Sequence, residues 1–196
     1  MLFFTSDLHF GTDSKEILER EMRPYNTPDE YAKHQIMIWN SQAMPEDTIY
    51  IIGDLCNYNK KEKDWMKGLE SIRFVNAPVI LIIGNNEERV INEIFNGDFA
   101  AFRSFCIDKG FQDVKRDEYL CFGDTGFYLN HFPRNHKENY INLFGHTHRT
   151  TGIWKPYGLN VGTDLNHFRL YSQNDILYLL QIKSKWWDKD VDNNCM

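Results

Sequence analysis

An acid and a histidine follow an apolar run at the start of the sequence, in the order Asp7-Leu8-His9. The run, residues 1–4, predicts a buried β-strand. Residues two apart on an extended chain point the same way, so Asp7 and His9 can reach one point beyond the strand. A carboxylate oxygen and a neutral imidazole nitrogen suit Zn, Mn or Fe. Alone, the pair is equally consistent with a solvated strand end.

Polar side chains recur at the ends of two further apolar runs. Residues 48–52 lead into Asp54, and residues 78–83 lead into Asn85. Helices are predicted between these strands and after Asn85. In open α/β sheets, sites form at the carboxyl ends of the strands, so we expect Asp7, Asp54 and Asn85 to converge.

The second half of the chain adds three histidines at predicted strand ends. A hairpin over residues 119–129 leads to His131, and a strand over residues 140–144 leads to His146 and His148. The complete candidate set of metal ligands is Asp7, His9, Asp54, Asn85, His131, His146 and His148. Nitrogen and oxygen ligands with one shared carboxylate fit two metal ions about 3.5–4 Å apart, the spacing of a two-metal phosphoester site.

Length and charge limit the alternatives. A chain of 196 residues favours a single domain, predicted over 1–196 with a frayed tail at 186–196. The net charge of −6 argues against an extended face for duplex nucleic acid. It does not exclude an anionic substrate, because a bound metal ion supplies local positive charge.

Segment composition predicts a cytoplasmic protein with no membrane contact. No apolar run approaches the ~20 residues of a membrane span, and the start of the chain lacks the features of a secretory leader. The four cysteines have no CxxC spacing, which indicates reduced thiols. The oligomeric state cannot be predicted from the sequence.

The ordered motifs resemble those of the calcineurin-like metallophosphoesterases. The motifs that carry this resemblance are Asp7-Leu8-His9, Gly53-Asp54, Gly84-Asn85-Asn86-Glu87, His131 and Gly145-His146-Thr147-His148. Three further motifs resemble, more specifically, a compact group of small predicted prokaryotic phosphoesterases. They are Arg23-Pro24-Tyr25, Trp39-Asn40 and Asn160-Val161-Gly162. Together the motifs cover residues 2–182, and they indicate fold and metals better than substrate.

The resemblance implies an α/β fold, a four-layer α/β/β/α sandwich with two mixed β-sheets. It implies two divalent transition-metal ions, with Mn²⁺ as the first choice and Fe, Zn or Ni as alternatives. The first ion would be held by Asp7, His9 and His148, the second by Asn85, His131 and His146, with Asp54 bridging them. A bridging water would attack phosphorus in line.

Asn86 departs from the family pattern, which usually has a histidine there to protonate the leaving oxygen. A carboxamide can donate a hydrogen bond but cannot give up a proton near neutral pH. General acid help, usually worth about 10²–10⁴-fold, should therefore be weak or come from elsewhere. This favours phosphodiester over phosphomonoester hydrolysis. The predicted catalytic residues are Asp54, Asn85 and Asn86.

The remaining assignments stay open at this point. Asn85, Asn86, Arg134 and Arg23 are predicted to bind a phosphoester or nucleotide substrate. Arg134 and His136 could instead be solvated, and His136 could replace the missing acid. Arg23 could instead tie the loop before the helix that begins near Thr27. A binding or scaffold protein that has lost catalysis is the alternative function, although retention of the whole ligand set favours an enzyme.

Overall fold

Two mixed β-sheets of five strands each form the centre of the fold. The computed structural model describes residues 1–11, 16–58, 62–150, 153–154 and 158–182. Each sheet contains both parallel and antiparallel strand pairs. The predicted α/β class with two mixed sheets is thereby confirmed.

The first sheet has the strand order β10-β1-β2-β3-β4. Its strands are β1 (Leu2–Thr5), β2 (Thr48–Ile52), β3 (Val79–Ile82), β4 (Asp113–Lys115) and β10 (Tyr171–Ser172). Strands β1 to β4 are parallel, and β10 runs antiparallel to β1. The first three strands are almost wholly apolar because helices cover one face and the second sheet covers the other. Their carboxyl ends lie at the same edge.

The second sheet has the strand order β5-β6-β7-β9-β8. Its strands are β5 (Glu118–Phe122), β6 (Thr125–Leu129), β7 (Ile141–Phe144), β8 (Ile153–Trp154) and β9 (Gly158–Asn160). The pair β5–β6 is the predicted hairpin, with Tyr119 opposite Tyr128. Strands β6, β7 and β9 are parallel, so β6 and β7 also end at a common edge.

Six α-helices accompany the sheets among the described residues. They are α1 (Glu16–Arg20), α2 (Pro28–Gln42), α3 (Glu62–Glu70), α4 (Asn85–Ile94), α5 (Phe99–Asp108) and α6 (Gln173–Ile182). At the start of α2, the Thr27 side chain accepts the Glu30 N–H at 3.1 Å, as the sequence predicts. The Glu30 carboxylate accepts the Asn26 N–H and not the Thr27 N–H, so the reciprocal bond of a capping box is missing at this described helix start. None of the described helices is long and apolar enough to cross a membrane.

Two apolar cores hold these layers together. The first lies between the helices and the first sheet, and it contains the buried side chains of Trp39 and Trp65. The second lies between the two sheets, where Phe4 contacts Phe122 and Ile176 of α6 is fully buried. Burial of the apolar strands on both faces fixes their carboxyl ends, and therefore the residues that follow them.

The structure adds elements that the sequence patterns did not predict. Strand β4 is three residues long and mostly charged, and β8 and β10 have two residues each. Such short segments lack the alternation or apolar run by which strands are recognised. The sequence also predicts a charged amphipathic helix over residues 59–71. Its predicted start, like the predicted frayed tail at 186–196, falls outside the described residues.

Candidate metal and phosphate site

The seven predicted ligands gather at the edge where the parallel strands of both sheets end. Asp7 lies just beyond β1 and its N–H donates to Gly53 O at 3.1 Å, while the His9 N–H donates to Asp54 O at 3.0 Å. The segments after β6 and β7 meet in the same way, through Gly145 N–H and His131 O at 3.2 Å. Backbone pairing thus continues past the strands and brings the loops together.

Five of the seven candidate ligands have a left-handed backbone conformation. Their φ angles are 58° at Asp7, 54° at His9, 53° at Asp54, 70° at His146 and 47° at His148. Residues other than glycine rarely adopt positive φ, and each such residue costs roughly 1–3 kcal/mol. The cost persists only where surrounding contacts enforce it, and such residues concentrate at functional sites.

Two glycines let the loops approach the carboxylates closely. A Cβ atom on Gly84 would lie 2.3 Å from Asp54 Oδ1, and one on Gly145 would lie 2.5 Å from Asp7 Oδ2. Both contacts are far inside van der Waals distance. Glycine beside the predicted ligands therefore serves close approach of backbone to side chain, which explains its recurrence in the motifs.

Asp7, His9 and His148 form the first candidate metal group. One ligand atom from each lies within 4.8 Å of the others, and the two imidazoles stack with centroids 5.1 Å apart. Burial lowers the pKa of His9 from 6.5 to about 3, so its ring is neutral near pH 7. Both His9 ring nitrogens are buried without a hydrogen-bond partner among the described residues. Unpartnered buried imidazole nitrogens fit a metal ligand.

Asn85, His131 and His146 form the second candidate group. Asn85 Oδ1 lies 3.2 Å from His131 Nε2 and 2.9 Å from His146 Nδ1. His131 Nδ1 lies 2.9 Å from the Ile52 carbonyl oxygen, which can only accept a hydrogen bond. If Nδ1 carries the proton of a neutral ring, Nε2 presents a lone pair to the amide oxygen of Asn85. A shared cation would satisfy two acceptors that face each other, so a metal ion fits this contact.

Protonation of the His131 ring would also satisfy the contact with Asn85, because Nε2 would then donate to the amide oxygen. Burial opposes the charged ring, but the carboxylates of Asp54 and Asp7 raise the pKa of His131 above 6.5. The same carboxylates would attract a metal ion to this position. The donor set therefore fits a divalent cation, which would replace the proton on His131 Nε2.

Asp54 lies between the two groups. Its Oδ2 is 3.9 Å from His9 Nε2, and its Oδ1 is 3.6 Å from His131 Nε2. Burial would raise its pKa, but His131, His9 and the two hydrogen bonds from Asn86 together lower the pKa of Asp54 below 3.8. An ionised carboxylate that reaches one ligand of each group is suitably placed to bridge two cations.

Asn86 and Glu87 hold Asp54 from the first turn of α4. The Asn86 backbone N–H donates to Asp54 Oδ1 at 2.9 Å, and its side-chain amide donates to Oδ2 at 2.6 Å. The Glu87 carboxylate accepts the backbone N–H groups of Asp54 and Gly84, both at 2.8 Å. Burial, followed by the Asp54 charge, raises the pKa of Glu87. Glu87 therefore acts on the position of Asp54, a role that the sequence analysis did not assign.

The predicted contact between Arg23 and a substrate is not consistent with the position of Arg23. Its side chain has no exposed surface. The guanidinium donates to the carbonyl oxygens of Leu8 at 2.8 Å and Asp7 at 2.7 Å, and forms two hydrogen bonds with Asp164. Arg23 thus holds the strained backbone between two candidate ligands from behind. The alternative role, tying a loop, is close to what is found, although the loop is that of Asp7.

Glu21, His148 and Asp164 form a third cluster with metal-binding residue types. The two acids already have cationic partners, since Glu21 accepts from Arg20 at 2.8 Å and Asp164 from Arg23. His148 Nδ1 lies 3.5 Å from Glu21 Oε1, while its Nε2 faces Asp7. A carboxylate behind the ring orients a metal-binding histidine. The cluster therefore belongs to the first candidate group.

Two adjoining cavities open beside these residues. The smaller, about 270 Å³, contains His9, Asp54, Asn85 and Asn86 in its wall. Its wall also includes two arginines that the sequence analysis missed, Arg20 and Arg89. Arg89 lies one helical turn beyond Asn85 on α4, a spacing that could have revealed it. Asn57, Tyr58, His146 and His148 complete the described part of the wall.

The larger cavity, about 840 Å³, shares Arg20, His146 and His148 with the smaller one. Arg134 lies in the wall of this larger cavity, not in that of the smaller one. It follows Pro133 in a short 3-10 helix just after His131. His136 is in neither described wall, so its predicted role as an acid receives no support from geometry.

Mixed sheets that end in acids, an amide and histidines define the architecture of a metallophosphoesterase. The chain belongs to the calcineurin-like phosphoesterase family, whose sequence model matches residues 2–194. The family indicated by the motifs is thus confirmed.

A solved structure shows the same fold at low sequence identity. A protein of unknown function from Aquifex aeolicus, AQ665, is 16% identical with a TM-score of 0.58, over 91% of this chain and 98% of that one. The phosphoesterase Yfce from E. coli is also 16% identical, with a TM-score of 0.40, over 82% of this chain and 77% of its own. No curated protein matches the sequence.

Proposed function

We propose that this protein hydrolyses phosphodiesters with two divalent transition-metal ions. Asp7, His9 and His148 would hold the first ion, and Asn85, His131 and His146 the second, with Asp54 between them. The single observation that carries the proposal is the contact between His131 Nε2 and Asn85 Oδ1, which a shared cation would satisfy if the ring is neutral. When bound, such ions activate water as a nucleophile and stabilise charge on the phosphoryl oxygens.

The protein itself supplies positioning and charge. Asp54 stays ionised, and Asn86 and Glu87 fix both its side chain and its backbone. Arg20 and Arg89 face the smaller cavity, where their guanidinium groups can neutralise the charge of a phosphate group. Asn86 has a second amide hydrogen, which leaves one donor available after its bond to Asp54.

The described residues of the smaller cavity offer no clear proton donor for the leaving group. Outside the ligand set, the described wall of the smaller cavity consists of Arg20, Asn57, Tyr58, Asn86 and Arg89. Burial raises the pKa of Tyr58, and its hydroxyl already donates to Glu93 at 2.9 Å. None of these five side chains is a proton donor near pH 7. This supports diesters with stable leaving groups as the preferred substrates.

A comparison of two nitrophenyl esters tests the proposal. Protein stripped with chelator and reconstituted with Mn²⁺ should hydrolyse bis(4-nitrophenyl) phosphate with a higher kcat/KM than 4-nitrophenyl phosphate. Both esters release the same leaving group, so the comparison isolates the diester preference. Asp54→Ala should abolish both activities, whereas Asp47→Ala, at a partly buried acid that pairs with the N-terminus and lines neither cavity, should keep them. A monoester preference would overturn the substrate assignment, and inactivity with every metal would favour a binding role.

A further inference from the structure

The larger cavity is positively charged in a chain of net charge −6. Arg20, Arg134 and Arg149 line it, and Glu21 is the one carboxylate in its described wall. Glu21 is buried and already accepts from Arg20 Nε at 2.8 Å. Its charge therefore offsets part of one guanidinium and leaves the other two facing the space.

The three arginines have guanidinium N–H donors that are not used by the described residues. Arg134 is exposed and has no hydrogen-bond or ion-pair partner among the described residues. Toward the described residues, Arg149 makes one weak contact, at 3.9 Å from Asp164, and its side chain is 39% exposed. Arg20 is 55% exposed and, within the same part of the chain, donates a hydrogen bond from its Nε atom alone. Guanidinium groups with free planar donors bind phosphate in a bidentate manner.

The loop that carries Arg134 is fixed in place by Asn130. Asn130 Oδ1 accepts the Phe132 N–H at 3.0 Å and the Asn135 amide at 3.1 Å, so it bridges the short helix on both sides of Arg134. Preorganisation of a binding loop reduces the entropy lost when a ligand binds. The base of the Arg134 side chain is therefore positioned before a ligand arrives.

Size and composition distinguish the larger cavity from a site for a single phosphate. It has about three times the volume of the smaller cavity, 840 against 270 Å³, and Arg20, His146 and His148 are common to both walls. Met22, Phe132 and Pro133 add an apolar surface between its arginines. An apolar wall with a few charged groups suits a nucleoside, whose ring packs on the wall while its phosphates contact the arginines.

We propose that the larger cavity binds a second phosphate group of the substrate, which would then be a nucleotide-type phosphodiester with a further phosphate. The inference rests on the proposed function, because it assumes that the scissile phosphate occupies the smaller cavity. The shared wall would connect the two phosphates, with Arg20 contacting either one.

A pair of matched esters tests this assignment by kinetics. The probes are the 4-nitrophenyl ester of thymidine 5′-phosphate and the same ester with a 3′-phosphate. In the wild-type protein the 3′-phosphate should lower KM. Arg134→Ala should reduce this advantage by about tenfold, the loss of roughly one charge-assisted contact, and Arg134→Ala with Arg149→Ala should remove it. Arg73→Ala, on an exposed arginine that lines neither of the two cavities, should leave the advantage unchanged.

Equilibrium binding separates failure of the cavity assignment from failure of the proposed function. Thymidine 3′,5′-bisphosphate is titrated calorimetrically into Mn²⁺-loaded protein, without any need for turnover. Weaker binding to Arg134→Ala than to Arg73→Ala would support the cavity assignment even if no ester is hydrolysed. Equal binding to wild-type protein and the Arg134→Ala, Arg149→Ala double variant would overturn it, as would equal KM values for both esters in wild-type protein.

Discussion

The side-chain amide of Asn86 donates a hydrogen bond of 2.6 Å to Oδ2 of Asp54, the acid that we place between the two metal positions. The same amide accepts the Tyr58 backbone N–H at 3.2 Å. Asn86 occupies the position where the motif resemblance leads us to expect a histidine. The structure gives the residue a second task, because it braces the acid as well as facing the cavity.

Asn86→His should therefore have two opposite effects. The imidazole could protonate a leaving oxygen, so activity on poor leaving groups should rise relative to good ones, by up to about 10²–10⁴-fold. Loss of the bond to Asp54 should weaken metal binding in the same variant. The measurement is kcat/KM for esters with leaving groups of graded pKa, at saturating Mn²⁺, and Asn57→His is the control.

The outcome in wild-type protein decides how the Asn86 result is understood. A strong dependence of its rate on leaving-group pKa would agree with the absence of a proton donor among the described cavity residues. No dependence would mean that another group donates the proton. Arg134 cannot do so because a guanidinium group does not give up a proton in proteins, so His136→Ala would be the next variant to measure.

Removal of Arg23 should destabilise the protein strongly. Its buried ion pair with Asp164 has two hydrogen bonds, at 2.9 and 2.8 Å, and two further bonds fix the Asp7 and Leu8 carbonyl groups. Loss of one partner of a buried pair leaves an unpaired charge, at a cost of about 3–5 kcal/mol. Urea unfolding of Arg23→Ala should show this loss in the free energy of unfolding.

The exposed pair between Arg103 and Asp113, at 2.7 Å, is the matched control for Arg23. Arg103 is 46% exposed, so Arg103→Ala should change the free energy of unfolding by no more than ~1 kcal/mol. Equal changes in the free energy of unfolding for the two substitutions would show that burial does not increase the contribution of the Arg23 pair to stability.

The sequence predicted the positions of the ligands better than the side chains around them. Strands β1, β2 and β3 are continuous apolar runs, so the ends that carry Asp7, Asp54 and Asn85 could be located from hydrophobic pattern alone. Arg23 could not be assigned in this way, because its partner Asp164 is 141 residues away in the sequence. Contacts of this kind depend on tertiary packing and leave no local pattern.

The positions of the arginines near the cavities also depend on tertiary packing to different degrees. Arg20 ends the short helix α1, in a stretch, residues 14–22, whose sequence is compatible with either a short helix or an ordered loop. Its place in both cavity walls depends on how that helix lies against the loop of His148. Arg89, in contrast, lies four residues after Asn85 on a helix that was predicted, so its position followed from helical spacing.

Glu87→Gln should impair both stability and metal retention. The buried carboxylate accepts backbone N–H groups from Asp54, Gly84 and Cys56, and a carboxamide has one oxygen acceptor in place of two. Each buried donor left without a partner costs about 1–3 kcal/mol. The midpoint temperature of thermal unfolding and the manganese content should both fall in Glu87→Gln. Glu88→Gln, at the next position of the helix, should behave like wild-type protein. Normal manganese content in Glu87→Gln would contradict the positioning role.

Metal stoichiometry tests the central claim, that one residue set binds two cations with Asp54 between them. Elemental analysis is performed on protein reconstituted with Mn²⁺ and desalted, for wild type, Asp54→Ala and the control Asp47→Ala. We expect about two ions per chain in wild type and Asp47→Ala, and strong loss of both from Asp54→Ala because that carboxylate would serve both positions. Near-normal occupancy in Asp54→Ala, or fewer than two ions in wild type, would contradict the claim.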